Sequence, residues 1–218
     1  MPDLAHWLQY LKMAIFAWAI DRALRLARIL YRNVGRNITK ATVEALPGDA
    51  SRVTIRMTRP WNLKPGQHLY LYMPTLALWT SHPFTITWSE DEQHIKLDDE
   101  KLPMNRQDIM QQTDRTMSLI IRRRTGFTNA LFKKAYDSPG KTFTTTVLAE
   151  GPYGKIDTLG SYGTVVLVAG GVGITHPVPY VRELVEGYAN GTIATRRVTL
   201  IWVIQTPGKL LSFFFLSP

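Results

Sequence analysis

The run TVVLVAGGVGITHPVPYVRELVEGY, residues 164–188, restricts the fold more than any other part of the sequence. Thr164–Ala169 is an unbroken, mostly β-branched stretch, the composition of a strand buried on both faces. It ends at Gly170-Gly171-Val172-Gly173-Ile174-Thr175, after which a helix is predicted from about Pro177 through Tyr188, with proline tolerated in its first turn. A second strand follows at Val198–Ile204. Strand, glycine turn, helix, strand is one βαβ unit and implies a parallel sheet. Glycines at such a turn let backbone approach a ligand, and the helix amino terminus offers unpaired N–H groups to phosphate. The full dinucleotide fingerprint is not met, because no further glycine follows Gly173 at the required interval. A plain tight turn therefore stands open beside a nucleotide site.

Upstream the pattern changes to short alternating segments. Val53–Arg59 places Val53, Ile55 and Met57 on one face and Thr54, Arg56 and Thr58 on the other, the signature of a half-buried strand. Lys64-Pro65-Gly66 is turn chemistry, and Gln67–Met73 resumes β-type residues. Further strands are predicted at Phe84–Ser89, His94–Leu97, Thr116–Arg124 and Thr142–Leu148, with a helix at Thr128–Tyr136. Six short strands at this spacing predict a closed or nearly closed antiparallel barrel. Asp98–Asp114 has neither period and reads as a surface loop.

A length of 218 residues allows one large or two small domains. The formal charge of +9 raises the question of nucleic acid, but no zinc-finger, basic-zipper or aromatic RNA-binding motif accompanies the arginine clusters, so that class is set aside. With no cysteine, disulfides, thiolate metal sites and iron–sulfur clusters are excluded. The five histidines, His6, His68, His82, His94 and His176, are scattered, and no metal site is expected in this chain.

At the amino terminus Leu4–Ile20 is mostly apolar and rich in Trp and Tyr, yet His6, Gln9 and Lys12 interrupt it, and its clean run, Met13–Ile20, falls short of the ~20 apolar residues of a spanning helix. Continuing at helical spacing, Ala23, Leu24, Leu26, Ala27, Leu30 and Tyr31 share one side while Arg25, Arg28 and Arg32 gather on the other. A helix leaving lipid and turning arginines to anionic headgroups has this pattern; a soluble helix packed on its own domain is the other reading.

Three elements in order, HPFT at His82–Thr85, EGPYG at Glu150–Gly154 and AGGVGIT at Ala169–Thr175, resemble the flavin and nicotinamide modules of the ferric-chelate reductase and NADPH oxidase family, closest to the fungal iron and copper reductases. Trp18–Asn33 is similar to that family's exit from its last membrane helix. The resemblance implies a ferredoxin-reductase-like fold in three parts: a membrane-proximal helix over residues 1–36, an antiparallel six-stranded FAD-binding barrel over 37–158, and a partial parallel α/β NADPH-binding domain over 159–218. In the same terms His82, Pro83, Phe84, Thr85 and Ile86 form a flavin bed, with Phe84 against the isoalloxazine and Thr85 near its reactive nitrogen. Arg122, Arg124, Gly126 and Thr128 meet the flavin diphosphate, and Gly151 closes the barrel beside it. Gly170, Gly171, Gly173, Ile174 and Thr175 receive NADPH.

The activity so implied is electron transfer from NADPH through FAD toward a membrane haem and ferric or cupric chelates, with the bulk of the chain on the cytoplasmic side of the membrane. Side chains would supply position and electrostatics, so no single acid, base or nucleophile is expected to carry the reaction. The family's haem-bearing helices and its later Cys-Gly-Pro element have no counterpart in this sequence, so a product truncated at both ends is expected, with haem belonging to the missing membrane portion. A soluble ferredoxin-reductase-type flavoprotein and a non-catalytic membrane-associated FAD-binding fragment are the competing readings. Thr206–Pro218 reads as an unrelated tail, with Phe213-Phe214-Phe215 an aggregation liability.

Overall fold

A computed structural model describes residues 4–35, 37–59, 61–77, 80–93, 113–155 and 157–204. The predicted strand at His94–Leu97, most of the predicted Asp98–Asp114 loop and the Thr206–Pro218 tail lie outside them. Helix α1 (Leu4–Asn33) precedes eight strands with one interposed helix: β1 (Lys40–Leu46), β2 (Ala50–Arg56), β3 (His68–Tyr72), β4 (Ser81–Thr85), β5 (Trp88–Gln93), β6 (Thr113–Arg122), α2 (Phe127–Tyr136), β7 (Thr142–Thr146) and β8 (Leu148–Tyr153). Then β9 (Thr164–Gly170), a short 3-10 turn at Gly171–Thr175, α3 (Pro177–Ala189) and β10 (Arg197–Val203) complete the described chain.

The eight strands form not one six-stranded barrel but two antiparallel sheets, in the orders β5-β6-β2-β1-β7 and β4-β3-β8. The predicted strand Phe84–Ser89 is divided between them. Its first part belongs to β4 and its last to β5, and the intervening Thr87 N–H donates to Ser118 O of β6. Thr142–Leu148 divides in the same way into β7 and β8. Strand β1 was not predicted: its inward Ala41 and Val43 make a weaker alternation than Val53 and Ile55, to which they pair in register. The predicted loop gives up its last two residues, Thr113 and Asp114, to β6.

Between the sheets lies one core, built by Ala41, Val43, Val53, Ile55, Met117, Leu119 and Ile121 from the larger sheet and Leu69, Leu71 and Ala149 from the smaller. Helix α2 adds Leu131 and Ala135. Each fully buried Leu or Ile contributes ~1.5–3 kcal/mol of apolar transfer.

His82 and Pro83 do not interrupt a strand; both lie within β4. Proline is tolerated there because β4 is the outer strand of its sheet, where an N–H on the open side has no partner to lose.

The βαβ unit forms as expected, with β9 and β10 parallel in register from Thr164↔Arg197 to Gly170↔Val203. Helix α3 buries Pro177, Tyr180 and Leu184. The other face of this two-stranded sheet leaves Val166, Val168, Ile201 and Val203 exposed.

Helix α1 corrects the amphipathic reading. Leu24, Leu26, Leu30 and Tyr31, the predicted apolar side, are exposed, whereas Arg25 and Arg32, expected to turn to anionic headgroups, face the sheets together with Ile29 and Asn33. Arg25 meets the buried carboxylate of Glu150, Arg32 lies 5.2 Å over the Trp61 ring, and Arg59 lies 3.7 Å over the Tyr31 ring. The amino-terminal two thirds of α1 expose Trp7, Tyr10, Phe16 and Trp18. Among the described residues no helix is long and apolar enough to cross a membrane.

Candidate functional site

Among the described residues no strand pairs with the outer side of β4, which leaves it as a sheet edge. Ile86 N–H donates to Gln67 O, so by the two-residue period Phe84 and His82 also turn their N–H groups toward β3. Ser81, Pro83 and Thr85 then direct their backbone to the open side, which agrees with Pro83 having no donor to waste. Side chains alternate as well. His82 and Phe84 lie on the face of Leu71 and Leu69, while Pro83 and Thr85 share the outer face with Tyr70 and His68. Phe84 and Thr85 therefore cannot contact a flat ring through the same face of the sheet; a ring lying along the edge reaches both. His82 stacks on Phe127, the first residue of α2, at 4.5 Å between ring centroids, and Phe84 lies 6.2 Å from the same ring. The sequence reading did not single out Phe127. It is the residue that brings the β4 segment and the arginine–glycine segment together.

Between the end of β6 and the start of α2 the three consecutive arginines differ in their contacts. Arg123 is engaged: Nε donates to Asn129 Oδ1 at 2.9 Å, Nη1 pairs with Asp49 at 3.2 Å, and the guanidinium lies 5.1 Å over Phe132. Among the described residues Arg122 and Arg124 have no ion-pair partner. Arg123 is thus committed within the chain, whereas the side chains of Arg122 and Arg124 are not. Gly126 caps α2 with φ 64°, and a side chain there would meet nothing within 4 Å. Thr128 Oγ1 accepts from Arg124 N–H at 2.9 Å, which holds the loop across the helix terminus. Two unpaired guanidinium groups, an uncrowded glycine and a helix amino terminus together suit an anion.

Gly151 owes its place to the sheet. Its φ is 150°, and a Cβ would stand 3.3 Å from His68 O and 3.4 Å from Leu69 Cα. The glycine turn is different in kind, since a Cβ at Gly170, Gly171 or Gly173 meets nothing within 4 Å. Gly171 sits at φ 50°, and Trp202 Nε1 donates to its carbonyl at 2.9 Å. Space in front of these glycines is what a ligand approaching backbone requires. Ile174 and Thr175 turn their side chains inward, Thr175 Oγ1 donating to Val172 O at 3.0 Å. Val172 packs on Leu46, Ala50 and Ile120, and Ala50 pairs with Arg122, so the glycine turn stands beside the arginine segment.

A cleft of about 570 Å³ runs between α3 and the strands, lined by Lys64, Ile86, Thr87, Trp88, Arg182 and Glu186 among others. Of the predicted flavin residues only Ile86 lines it. Arg182 crosses it, 4.5 Å over the Trp88 ring, with Nη1 donating to Ser89 O at 3.0 Å.

Glu150, also unassigned by the sequence reading, is 3% exposed and accepts four hydrogen bonds: from Arg25 Nε and Nη2 at 2.7 and 2.8 Å, Tyr153 at 2.7 Å and Tyr72 at 3.0 Å. Burial alone pushes its carboxyl up, but the hydrogen bonds from Arg25, Tyr153 and Tyr72 outweigh it and hold the group below the ordinary carboxylate value. The bond from Glu150 correspondingly raises Arg25. For Tyr153 burial comes first, then the bond to Glu150, and both push its hydroxyl up.

An FAD-binding domain model matches residues 36–100, and a ferric reductase NAD binding domain model matches 162–215. A probable cell surface ferric reductase of Aspergillus oryzae is 31% identical over 213 residues, which cover 95% of this chain and 26% of that protein. The chain belongs to the ferric reductase family. Ferric/cupric reductase transmembrane component 1 of Candida albicans is 32% identical over 92% of the chain, and component 2 of Saccharomyces cerevisiae 25% identical over 91%. This ferric reductase-family chain spans about a quarter of the length of the curated relatives it matches, 26% and 24% in two of them. Its fold is that of ferredoxin reductases: the reductase of carbazole 1,9a-dioxygenase matches 82% of the chain and 46% of its own at TM-score 0.56 and 18% identity. An Amycolatopsis cytochrome P450 reductase matches 81% of the chain and 46% of its own at TM-score 0.54 and 19% identity. The ferric reductase-family chain thus carries FAD-binding and NAD-binding domains on a ferredoxin-reductase-like fold.

Proposed function

We propose that this chain is the flavin and nicotinamide portion of a membrane ferric or cupric reductase, passing electrons from NADPH through FAD toward a haem in the membrane. The observation that carries the reading is the open β4 edge joined to the free arginines of the α2 terminus through the His82–Phe127 stack. Residues 1–36 form its membrane-proximal helix, 37–158 its flavin domain and 159–218 part of its nicotinamide domain.

In this reading the flavin ring lies along β4, touching Pro83, Phe84 and Thr85, with His82 and Ile86 fixing the strand. Thr85 directs its backbone N–H to the ring, because the β4 register leaves that group on the open side. Arg122, Arg124, Gly126 and Thr128 hold the diphosphate, and Gly151 lets β8 close beside it. Gly170, Gly171 and Gly173 clear backbone room for the nicotinamide nucleotide, and the inward Ile174 and Thr175 fix the turn. Bound FAD supplies the exchange between two-electron and one-electron chemistry. The chain's own residues bind, orient and neutralise charge, and none is assigned as acid, base or nucleophile. The exposed aromatic stretch of α1, with Arg22 and Arg28 following it, suits contact with a membrane from the cytoplasmic side.

The test is a titration of the purified chain with FAD, followed by the flavin absorbance and by NADPH oxidation with ferricyanide as acceptor. Stoichiometric binding with NADPH-dependent ferricyanide reduction is expected. A folded chain that takes up no flavin overturns the reading.

A further inference from the structure

We propose that Glu150 is a positioning residue of the flavin site, registering the three-stranded sheet β4-β3-β8 against helix α1. The inference rests on the functional reading above in placing flavin at β4. Its geometry is independent of that reading.

One carboxylate joins three elements: α1 through Arg25, the middle strand β3 through Tyr72, and its own strand β8 through Tyr153. Arg25 approaches as a two-nitrogen fork and its Nη2 also donates to Tyr72 at 3.2 Å, so guanidinium, carboxylate and phenol close a triangle. Such a cluster fixes orientation as well as distance, because bidentate pairing restricts the plane of both groups.

The sheet carries that constraint onward. Glu150 pairs with Tyr70, and Tyr70 with Pro83; Ala149 pairs with Leu71, and Leu71 with His82. Each row thus runs from the α1 contact to the candidate flavin edge in two strand spacings of ~4.8 Å. Near His68 and Tyr70 the β3–β8 register shifts, so the ladder beyond Glu150 toward Gly151 is irregular. A side-chain latch at Glu150 fixes a stagger that the ladder leaves open there.

The experiment compares the full chain with Glu150→Gln and Arg25→Met by amide hydrogen exchange, followed by FAD titration. Positioning predicts faster exchange across residues 81–87, with residues 40–56 of the larger sheet unchanged, and FAD affinity weaker by about tenfold, the effect of one lost charge-assisted bond. Arg25→Lys, which keeps the charge without the fork, is expected to fall between. Exchange that rises equally in both regions, or is unchanged in 81–87 while the melting temperature falls, makes Glu150 a structural ion pair only and overturns the proposal. Arg25→Met, changing a half-exposed residue, serves if Glu150→Gln does not fold. A wild-type chain that binds no flavin defeats the functional reading instead, and the exchange pattern still decides the role of Glu150.

Discussion

Removing the amide of Asn33 is expected to destabilise the chain by ~2–4 kcal/mol, because two buried backbone groups would lose their partners at ~1–3 kcal/mol each. Asn33 is 1% exposed at the last turn of α1. Its Nδ2 donates at 2.8 Å to Ile29 O and at 2.8 Å to Ala149 O, and its Oδ1 accepts Ala149 N–H at 2.8 Å. The side chain therefore occupies the place of a neighbouring strand residue, satisfying donor and acceptor of Ala149, itself 1% exposed. Asn33→Ala orphans both, and a water entering the vacated space recovers part of the loss. In a chain of this size each kcal/mol moves the melting temperature by ~2–4 °C, so a fall of about 4–16 °C is expected. Asn33→Asp keeps the acceptor but faces Ala149 O with a carboxylate, and is expected to cost about as much. The assay is urea unfolding followed by circular dichroism, with Asn37→Ala on the exposed loop as control, expected within ~0.5 kcal/mol of wild type. If Asn33→Ala is no more destabilising than Asn37→Ala, the two-point grip on β8 does not hold α1 in place.

Gly66→Ala is expected to destabilise by ~1–3 kcal/mol, since Gly66 has φ 79° and a Cβ there would overlap the Tyr180 hydroxyl of α3. Tyr180→Phe in the same chain should recover part of that loss in urea unfolding. For Glu150 the folded-state pKa is depressed, so its contribution is complete above the ordinary value of 4.5 and is lost as pH falls through the lower folded value. The melting-temperature gap between wild type and Glu150→Gln should accordingly be constant at neutral pH and close below about pH 4.5, and a gap that widens in acid would contradict the assignment. Arg122→Gln and Arg124→Gln should each weaken FAD binding by about tenfold or more in a fluorescence titration, the scale of a charge-assisted hydrogen bond. Arg123→Gln should instead lower stability and leave FAD affinity nearly unchanged, because Arg123 is committed to Asp49 and Asn129.

Where the pattern was local, the sequence was sufficient. The β9–turn–α3–β10 unit falls within a residue of its predicted bounds, because an apolar run, a glycine cluster and a helical period are all contiguous signals. The alternation of Val53 and Ile55 likewise located β2 on the core. What failed depended on partners distant in sequence. Nothing near His82-Pro83 says that the strand lies at an edge, yet that alone makes proline acceptable in it. No periodicity shows that Thr87 crosses from one sheet to the other. On α1 the apolar stripe pointed one way and the true contact face another, because the decisive partner of Arg25 is a carboxylate 125 residues later. A glutamate just before Gly151-Pro152 in a β-type run was the one available signal for that partner. Among the site residues, the choice of Arg122 and Arg124 followed from strand alternation, whereas Phe127, whose ring joins two segments, had no mark in the sequence to separate it from a core phenylalanine.

Among the described residues helix α1 is gripped along Arg25–Asn33, a span of ~12 Å at 1.5 Å per residue, while residues 4–25 extend ~32 Å beyond it. That geometry is a lever with a short inner arm. A pivot of ~2° at the grip swings the far end by ~1 Å, and a sideways load on the far end arrives at the grip multiplied about threefold. Whatever surrounds the outer arm therefore has mechanical leverage over the edge where β8 begins.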